Sequence, residues 1–381
     1  MASDGPAHTT RVPPQPAPPP QPRWRRPDLD LVRRRVDGVL DAFVDRKTSA
    51  ARLAGLPDDV PVALTDFLRA GGKRIRPLLC VLGWQAAGGT GERGLAQAVR
   101  VGAALEMFHA FCLVHDDVMD DSDTRRGQPT VHRALAARYR AGRTRDLAEA
   151  VGTSAAILTG DLALLWSDEL LQDPADGLDP DRYARIGPLV ALMREEVMYG
   201  QCLDLIATGL PTADTEPALT VIRYKTAKYT CERPLQIGAA LAGADEALQR
   251  QLSAFALPLG EAFQLRDDVL GAFGHPEQTG KPALDDLREG KHTVLVSLAY
   301  QAATPARAPL LHALYGNPRL SEEDARTLRA LLRDTGADRA VERMIAERHE
   351  RAVAVLDGLA IPAEVREQLR ALADKVAWRT S

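Results

Sequence analysis

Apolar residues recur along most of this chain at three- and four-residue spacing, the period of a helix rather than of a strand. Between Asp28 and Arg46 the stripe is Leu31, Val32, Val36, Val39, Leu40 and Phe43, which predicts one amphipathic helix. Further helices are predicted from Pro61 toward Ala70, from Leu78 to Ala87 with Pro77 in the first turn, and from Leu95 to about Asp121. The pattern continues through His132–Arg140, Leu147–Leu171, Tyr183–Thr208, Pro217–Ala242 and Leu248–Leu270. Gly- and Pro-rich breaks fall at Gly71-Gly72, Gly88–Gly91, Asp173–Pro180 and Gly271–Lys291. Helix resumes over Thr293–Ala302. The C-terminal stretch predicts three short amphipathic helices, one opening on a capping box at Ser321 to Asp324 and another following Pro362. Val and Ile runs lack period-two alternation, so no strand is predicted, and no short repeat points to a solenoid. The expected fold class is all-α, one large domain over residues 28–381.

The first 27 residues break this pattern. VPPQPAPPPQP (12–22) has almost nothing to bury and reads as polyproline II or disorder. The extension over residues 1–27 is either dispensable or a docking tether for a partner or a protein shell. The basic cluster Arg23, Arg25 and Arg26 around Trp24 would help it dock. Arg25-Arg26 lacks the hydrophobic stretch of an export signal, and no apolar segment follows the early charges as in a secretory leader.

Composition narrows the function by exclusion. Lys and Arg total 48 against 52 Asp and Glu, a net charge of −4, so the chain lacks a nucleic-acid footprint. Cys80, Cys112, Cys202 and Cys231 sit in apolar helical contexts without a C-x-x-C pair. They read as buried free thiols in a reducing compartment. Every long apolar run is interrupted by charge before spanning length. The expected location is the cytoplasm.

Chemistry concentrates in LVHDDVMDDSDTRRGQPT (113–130), just after the apolar run Val99–Val114. Helical geometry puts Asp116 and Asp120 on one face, with Asp117 beside them. Clustered carboxylates at the end of an apolar helix need neutralisation. Magnesium does this while bridging to substrate phosphates, and Arg125 and Arg126 suit bidentate phosphate recognition. A second apolar helix ends in FQLRDDVLG (263–271), placing Gln264 one turn before Asp267 and Asp268. Two such helices facing across a bundle would hold a metal–diphosphate cluster between them. GGKRIRP (71–77) puts cations on a helix N-terminus, an anion-favouring position. Lys225 and Lys281 stand out in a chain that otherwise favours Arg. His109 lies on the face near Asp116. Glu195, Glu196, Gln201 and Asp204 share the helix predicted over 183–208.

With these residues in view, the chain resembles the trans-isoprenyl diphosphate synthases of the polyprenyl synthetase family. GGKRIRP (71–77), HDDVMDDSDTRRGQPTVH (115–132), YGQCLDL (199–205), YKTAKYT (224–230), FQLRDD (263–268) and TGKPALDDLREGKHT (279–293) carry the likeness in order, over about residues 30 to 375. The resemblance implies an isoprenoid-synthase bundle with a central cavity. It implies that Lys73, Arg76, His109 and Arg126 bind isopentenyl diphosphate. Asp116 and Asp120, with Asp117 beside them, would hold two Mg²⁺ that grip an allylic diphosphate (dimethylallyl, geranyl or farnesyl), and Arg125 would contact it. Asp267 would hold a third Mg²⁺ with Asp268 nearby. Lys225, Thr226, Gln264 and Lys281 would line the allylic diphosphate and the carbocation. The released diphosphate takes the proton, so no side-chain base is required. Family members are usually homodimers, and the same is expected here. One position departs: the second motif is commonly D-D-x-x-D, and its last place here is Gly271. Asp285 and Asp286 would offer carboxylates beyond the loop.

The product tail should grow down the helix away from Asp116, roughly one isoprene unit per turn of about 5.4 Å. Phe111 stands five residues before Asp116, small Cys112 four and Phe108 eight. An aromatic at the fifth place with a small fourth resembles the family's twenty-carbon pattern, so geranylgeranyl diphosphate is the expected product. The rivals are a farnesyl or longer-chain synthase, a class I terpene cyclase and a non-catalytic partner subunit. A cyclase would carry N/D-D-x-x-S/T-x-x-x-E at its second site, whereas Asp267-Asp268 is followed by Gly271 and His275. A scaffold has no need of Lys73, Arg76, Arg125 and Arg126.

Overall fold

The computed structural model describes residues 28–173, 177–274 and 284–379. The N-terminal extension and Lys281 lie outside the described residues. The order is α1 (Leu29–Leu53), α2 (Asp59–Arg69), α3 (Ile75–Ala86), α4 (Glu92–Met119), a two-stranded ribbon, α5 (Val131–Arg138), α6 (Arg145–Gln172) and α7 (Pro180–Ala207). Then come α8 (Glu216–Val221), a π-helical segment (Ile222–Glu232), α9 (Arg233–Leu241) and α10 (Glu246–Phe273). The last elements are α11 (Asp285–Glu289), α12 (Val294–Ala302), α13 (Ala308–Leu314), α14 (Glu322–Asp334), α15 (Ala337–Asp357) and α16 (Ala363–Trp378). The all-α class expected from the periodicity is the one observed.

Local chemistry explains the starts. Asp28 caps α1 by accepting from the backbone N–H of Asp30 and Leu31. The Ser321–Asp324 capping box forms as predicted and opens α14. The α1 stripe buries Val32, Val36, Leu40 and Phe43 against the central helix α4. α4 is itself apolar on nearly all sides and lies between α1, α3 and α6. α4 and α6 are long and apolar enough to cross a bilayer by length and composition alone. α4 uses that surface inside the bundle, while α6 leaves Ile157, Leu158 and Leu165 exposed.

Four expectations are corrected. The helix predicted over Pro217–Ala242 has a π-helical middle. The helix predicted to end at Leu270 continues to Phe273, so Gly271 is helical rather than looped. A ribbon pairs Thr124 with Pro129 and Arg125 with Gln128. Its turn has positive φ at Arg126 (54°) and Gly127 (74°), and two-residue strands are too short for any alternation to show. Cys202 is exposed, not buried. Burial pushes the thiols of Cys80, Cys112 and Cys231 up to about 12, so they stay protonated.

The π segment is the part of the fold that shapes the site. α7 and α10 press on it from two sides, each through a glycine. A Cβ on Gly200 would lie 2.4 Å from the Lys225 backbone nitrogen, and one on Gly260 would lie 2.4 Å from the Ala227 Cα. Neither neighbour is a side chain that can swing away. Gly200→Ala and Gly260→Ala should each cost about 1–3 kcal/mol in urea denaturation, as overpacking does. Gly38→Ala, on the exposed face of α1 with nothing within 4 Å, should instead gain about 0.5–1 kcal/mol. Equal effects at the three positions would refute the close-approach argument.

Candidate active site

α4 delivers the first acidic cluster at its C-terminal end. Asp116 accepts from Lys225 Nζ at 3.3 Å, from Gln201 Nε2 at 3.1 Å and from Arg125 at 3.3 Å. Asp117 is buried behind it and receives Arg125 Nε at 2.7 Å, so it anchors the arginine from beneath. Asp120 receives Lys291 Nζ at 2.6 Å, and the same ammonium reaches Glu289 at 3.0 Å. Lys225 also bonds Asp204 on α7. Burial by itself would lower both lysines. Asp116 and Asp204 hold Lys225 above its ordinary value, and Asp120 and Asp116 hold Lys291 well above it. Both are cationic at neutral pH.

α10 supplies the opposing cluster. Gln264 donates to Asp268 at 2.8 Å and accepts from Thr226 of the π segment at 2.7 Å. Asp267 is paired with Arg379, which follows α16 and stacks 4.3 Å over Phe263. Asp116, Asp267, Asp268 and Gly271 line one cavity of about 800 Å³, within the range of small-molecule sites.

The basic loop before α3 completes the walls. Arg74 adopts a left-handed conformation (φ 50°), held by Asp37 and Glu106, both at 2.8 Å, and by the Leu68 carbonyl. That anchorage consumes its charge and turns Lys73 and Arg76 toward the cavity. Burial and the neighbouring Arg379 lower Lys73. Arg126 bonds the Gly71 carbonyl and lines the same cavity, as does His109. Burial, reinforced by Arg76 and Arg126, keeps His109 well below the usual imidazole value and so neutral.

The structure therefore brings together Lys73, Arg76, His109, Cys112, Asp116, Arg125, Arg126, Lys225, Thr226, Gln264, Asp267 and Asp268. Asp120 joins them through Lys291. Phe111 and Phe108 lie in the core behind this lining, stacked on each other at 5.3 Å. The side chains of Asp285 and Asp286 lie outside the described residues, as does Lys281. Sequence reasoning missed Lys291, Arg379 and Tyr229. Lys291 stood inside a quoted motif and was as uncommon a lysine as Lys281. Arg379 gave no signal, because its contact is with a residue far away in the chain.

Among the described residues no three carboxylate, thiol or imidazole groups converge into a ready-made metal cage. The donor set nonetheless fits Mg²⁺, which takes one or two carboxylates and completes its shell with water and substrate phosphate. Each carboxylate assigned to metal faces a cation: Asp116 faces Lys225 and Arg125, Asp120 faces Lys291, and Asp267 faces Arg379. Positive charge is already demanded at these points.

An all-α bundle with carboxylates and cations facing across one cavity defines a diphosphate-handling enzyme. The sequence profile described as Polyprenyl synthetase matches residues 60–332. The crystal structure of a geranylgeranyl pyrophosphate synthase from Corynebacterium glutamicum, complexed with isoprenyl diphosphate and magnesium, superposes with a TM-score of 0.87. It is 42% identical, covering 92% of this chain and 99% of that one. The geranylfarnesyl diphosphate synthase of Aeropyrum pernix is 31% identical over 85% of this chain and 95% of its own. The geranylgeranyl diphosphate synthase of Saccharolobus solfataricus is 33% identical over 69% and 73%. The chain belongs to the polyprenyl synthetase family and is a prenyltransferase.

Buried neutral imidazoles give the protein an acid-side weakness. Burial lowers His109, His132 and His292, and both ring nitrogens of His132 are buried without a hydrogen-bond partner. Their folded values lie below the unfolded value of about 6.5. The unfolded chain therefore binds more protons, and stability is full above that pH and falls as pH drops toward the folded values. Urea denaturation should show lower stability at pH 5.5 than at pH 7.5, and His132→Gln should flatten the difference. An unchanged slope in the variant would show that His132 protonates freely in the fold.

Proposed function

We propose that this prenyltransferase condenses isopentenyl diphosphate with dimethylallyl, geranyl and farnesyl diphosphates in turn and releases geranylgeranyl diphosphate. The observation that carries this reading is the single cavity in which two acidic clusters and two separate cation groups meet. Arg125, Lys225 and Lys291 face the allylic diphosphate. Lys73, Arg76, Arg126 and neutral His109 hold the isopentenyl diphosphate. Asp116, Asp120 and Asp267 hold Mg²⁺, three ions per site, which when bound neutralise the departing diphosphate. The allylic carbon–oxygen bond breaks, the isopentenyl double bond attacks the cation, and the released diphosphate takes the proton. Thr226 and Gln264 line the cation end. Fixed charges lining the cavity supply the stabilisation.

Chain length is set on α4. Cys112 and Leu113 line the cavity, and the tail passes the small Cys112 to meet the Phe111–Phe108 pair behind it. Phe111 packs on Phe108 and, at 4.7 Å, on the ring of His115, so the floor is braced. Purified protein with Mg²⁺, isopentenyl diphosphate and each primer should yield mainly the C20 alcohol after dephosphorylation. A dominant C15 alcohol would overturn the length, and no condensation at all would overturn the roles. Asp116→Asn should lower turnover by about a thousandfold while the helical spectrum is kept. Phe111→Ala should lengthen the product.

The enzyme works in the cytoplasm as a homodimer. α6 exposes Leu147, Leu158 and Leu165 along one side, and α7 exposes Met198, Tyr199 and Ile206. A second copy across a two-fold axis would cover these apolar side chains. Light scattering should give a dimer. The double change Leu158→Glu with Leu165→Glu should give a monomer, and a dimer that persists would place the interface elsewhere.

A further inference from the structure

Arg74 and Arg76 lie two residues apart and are held in opposite ways. Arg74 is bonded to two carboxylates, so its charge is spent within the fold. Arg76 is held by neutral groups among the described residues. Its guanidinium carbon sits 4.1 Å over the ring of Tyr229, and one of its terminal nitrogens donates to the Thr230 hydroxyl at 2.5 Å. A ring face and a hydroxyl fix a guanidinium in direction without cancelling its charge.

Tyr229 also serves a second ligand-facing group. Its hydroxyl lies 3.1 Å from His109 Nδ1, and its ring meets Phe108 edge-on at 5.9 Å. Burial pushes the phenol well above its ordinary value, so it keeps its proton. Three elements thus meet at one ring, 3% exposed: α3 through Arg76, α4 through His109 and Phe108, and the π segment.

We propose that Tyr229 and Thr230 form a neutral platform that positions Arg76 and His109 for the isopentenyl diphosphate without lowering their capacity to bind it. Both are positioning residues. Tyr229 donates its O–H to Nδ1 of His109, which places the imidazole proton on Nε2 for use as a donor to the substrate. This inference rests on the assignment of Arg76 and His109 to the isopentenyl site.

The test is steady-state kinetics with one substrate varied at saturation of the other, on the full chain with Mg²⁺. Tyr229→Phe keeps the ring and loses the hydroxyl. Its KM for isopentenyl diphosphate should rise about threefold to tenfold, the loss of one hydrogen bond, with kcat and the allylic KM within about twofold. Thr230→Val should raise the same KM, and Thr230→Ser should restore it. Nitrogen-15 spectra of the substrate-free protein should show the His109 ring moving from one neutral tautomer toward a mixture in Tyr229→Phe. A general structural role would move both KM values, kcat and thermal stability together, and that result would overturn the proposal. Arg76→Ala separates the two layers. If it leaves the isopentenyl KM unchanged, the site assignment fails. If it raises that KM while Tyr229→Phe and Thr230→Val do not, the platform fails and the assignment stands.

Discussion

The constraint on which the rest of the structure depends is charge compensation inside an apolar bundle. Asp116 and Asp117 end a helix that is otherwise surrounded by core. Ionised carboxylates in such a place are tolerable only when paired. The fold meets this with cations brought from three separate elements: Arg125 from the ribbon that follows, Lys225 from the π segment and Lys291 from the loop before α12. The same arrangement suits a diphosphate with its metal ions, because an anionic substrate and its cations can exchange for these contacts without leaving a buried charge unmatched. Site and fold solve one electrostatic problem.

What was legible in the sequence was what depends on nearby residues. The α1 stripe, the capping box of α14 and the shared face of Asp116 and Asp120 all follow from helical spacing. So do Gln264 and Asp268, one turn apart and hydrogen-bonded. The family resemblance supplied roles that spacing could not, the assignment of Lys73, Arg76 and Arg126 to isopentenyl diphosphate among them. The missed residues share a different property. Arg379 meets Asp267, Lys291 meets Asp120, and Tyr229 meets Arg76 and His109 through tertiary contacts with no sequence period. The π segment was hidden for the same reason. Its register goes with close packing by Gly200 and Gly260, which belong to other helices.

The two arginines of the first motif show how little chain separates different roles. Arg125 turns inward to Asp117, while Arg126, at the next position, takes a left-handed backbone and reaches the Gly71 carbonyl. A left-handed residue at the head of the ribbon reverses the direction in which the side chain leaves. Neighbouring guanidiniums are thereby sent to different walls of the cavity. Arg74, in the same loop that Arg126 reaches, uses the same backbone conformation. Strained backbone thus recurs where charges must be aimed, as it often does at sites.

The pairing of Arg379 with Asp267 bears on the order in which the protein is made. The helix carrying Asp267 and Asp268 leaves the ribosome long before the residue that pairs with Asp267 in the finished fold. Through that interval the second acidic cluster lacks this counter-charge, and α10 has not yet met α16, which packs on it. The first cluster has Arg125 in the ribbon that follows it, yet Asp116 also waits for Lys225 and Asp120 for Lys291. Neither wall is therefore complete as a local event: Asp120 waits for Lys291 as Asp267 waits for Arg379, and each acidic cluster is compensated from a later part of the chain.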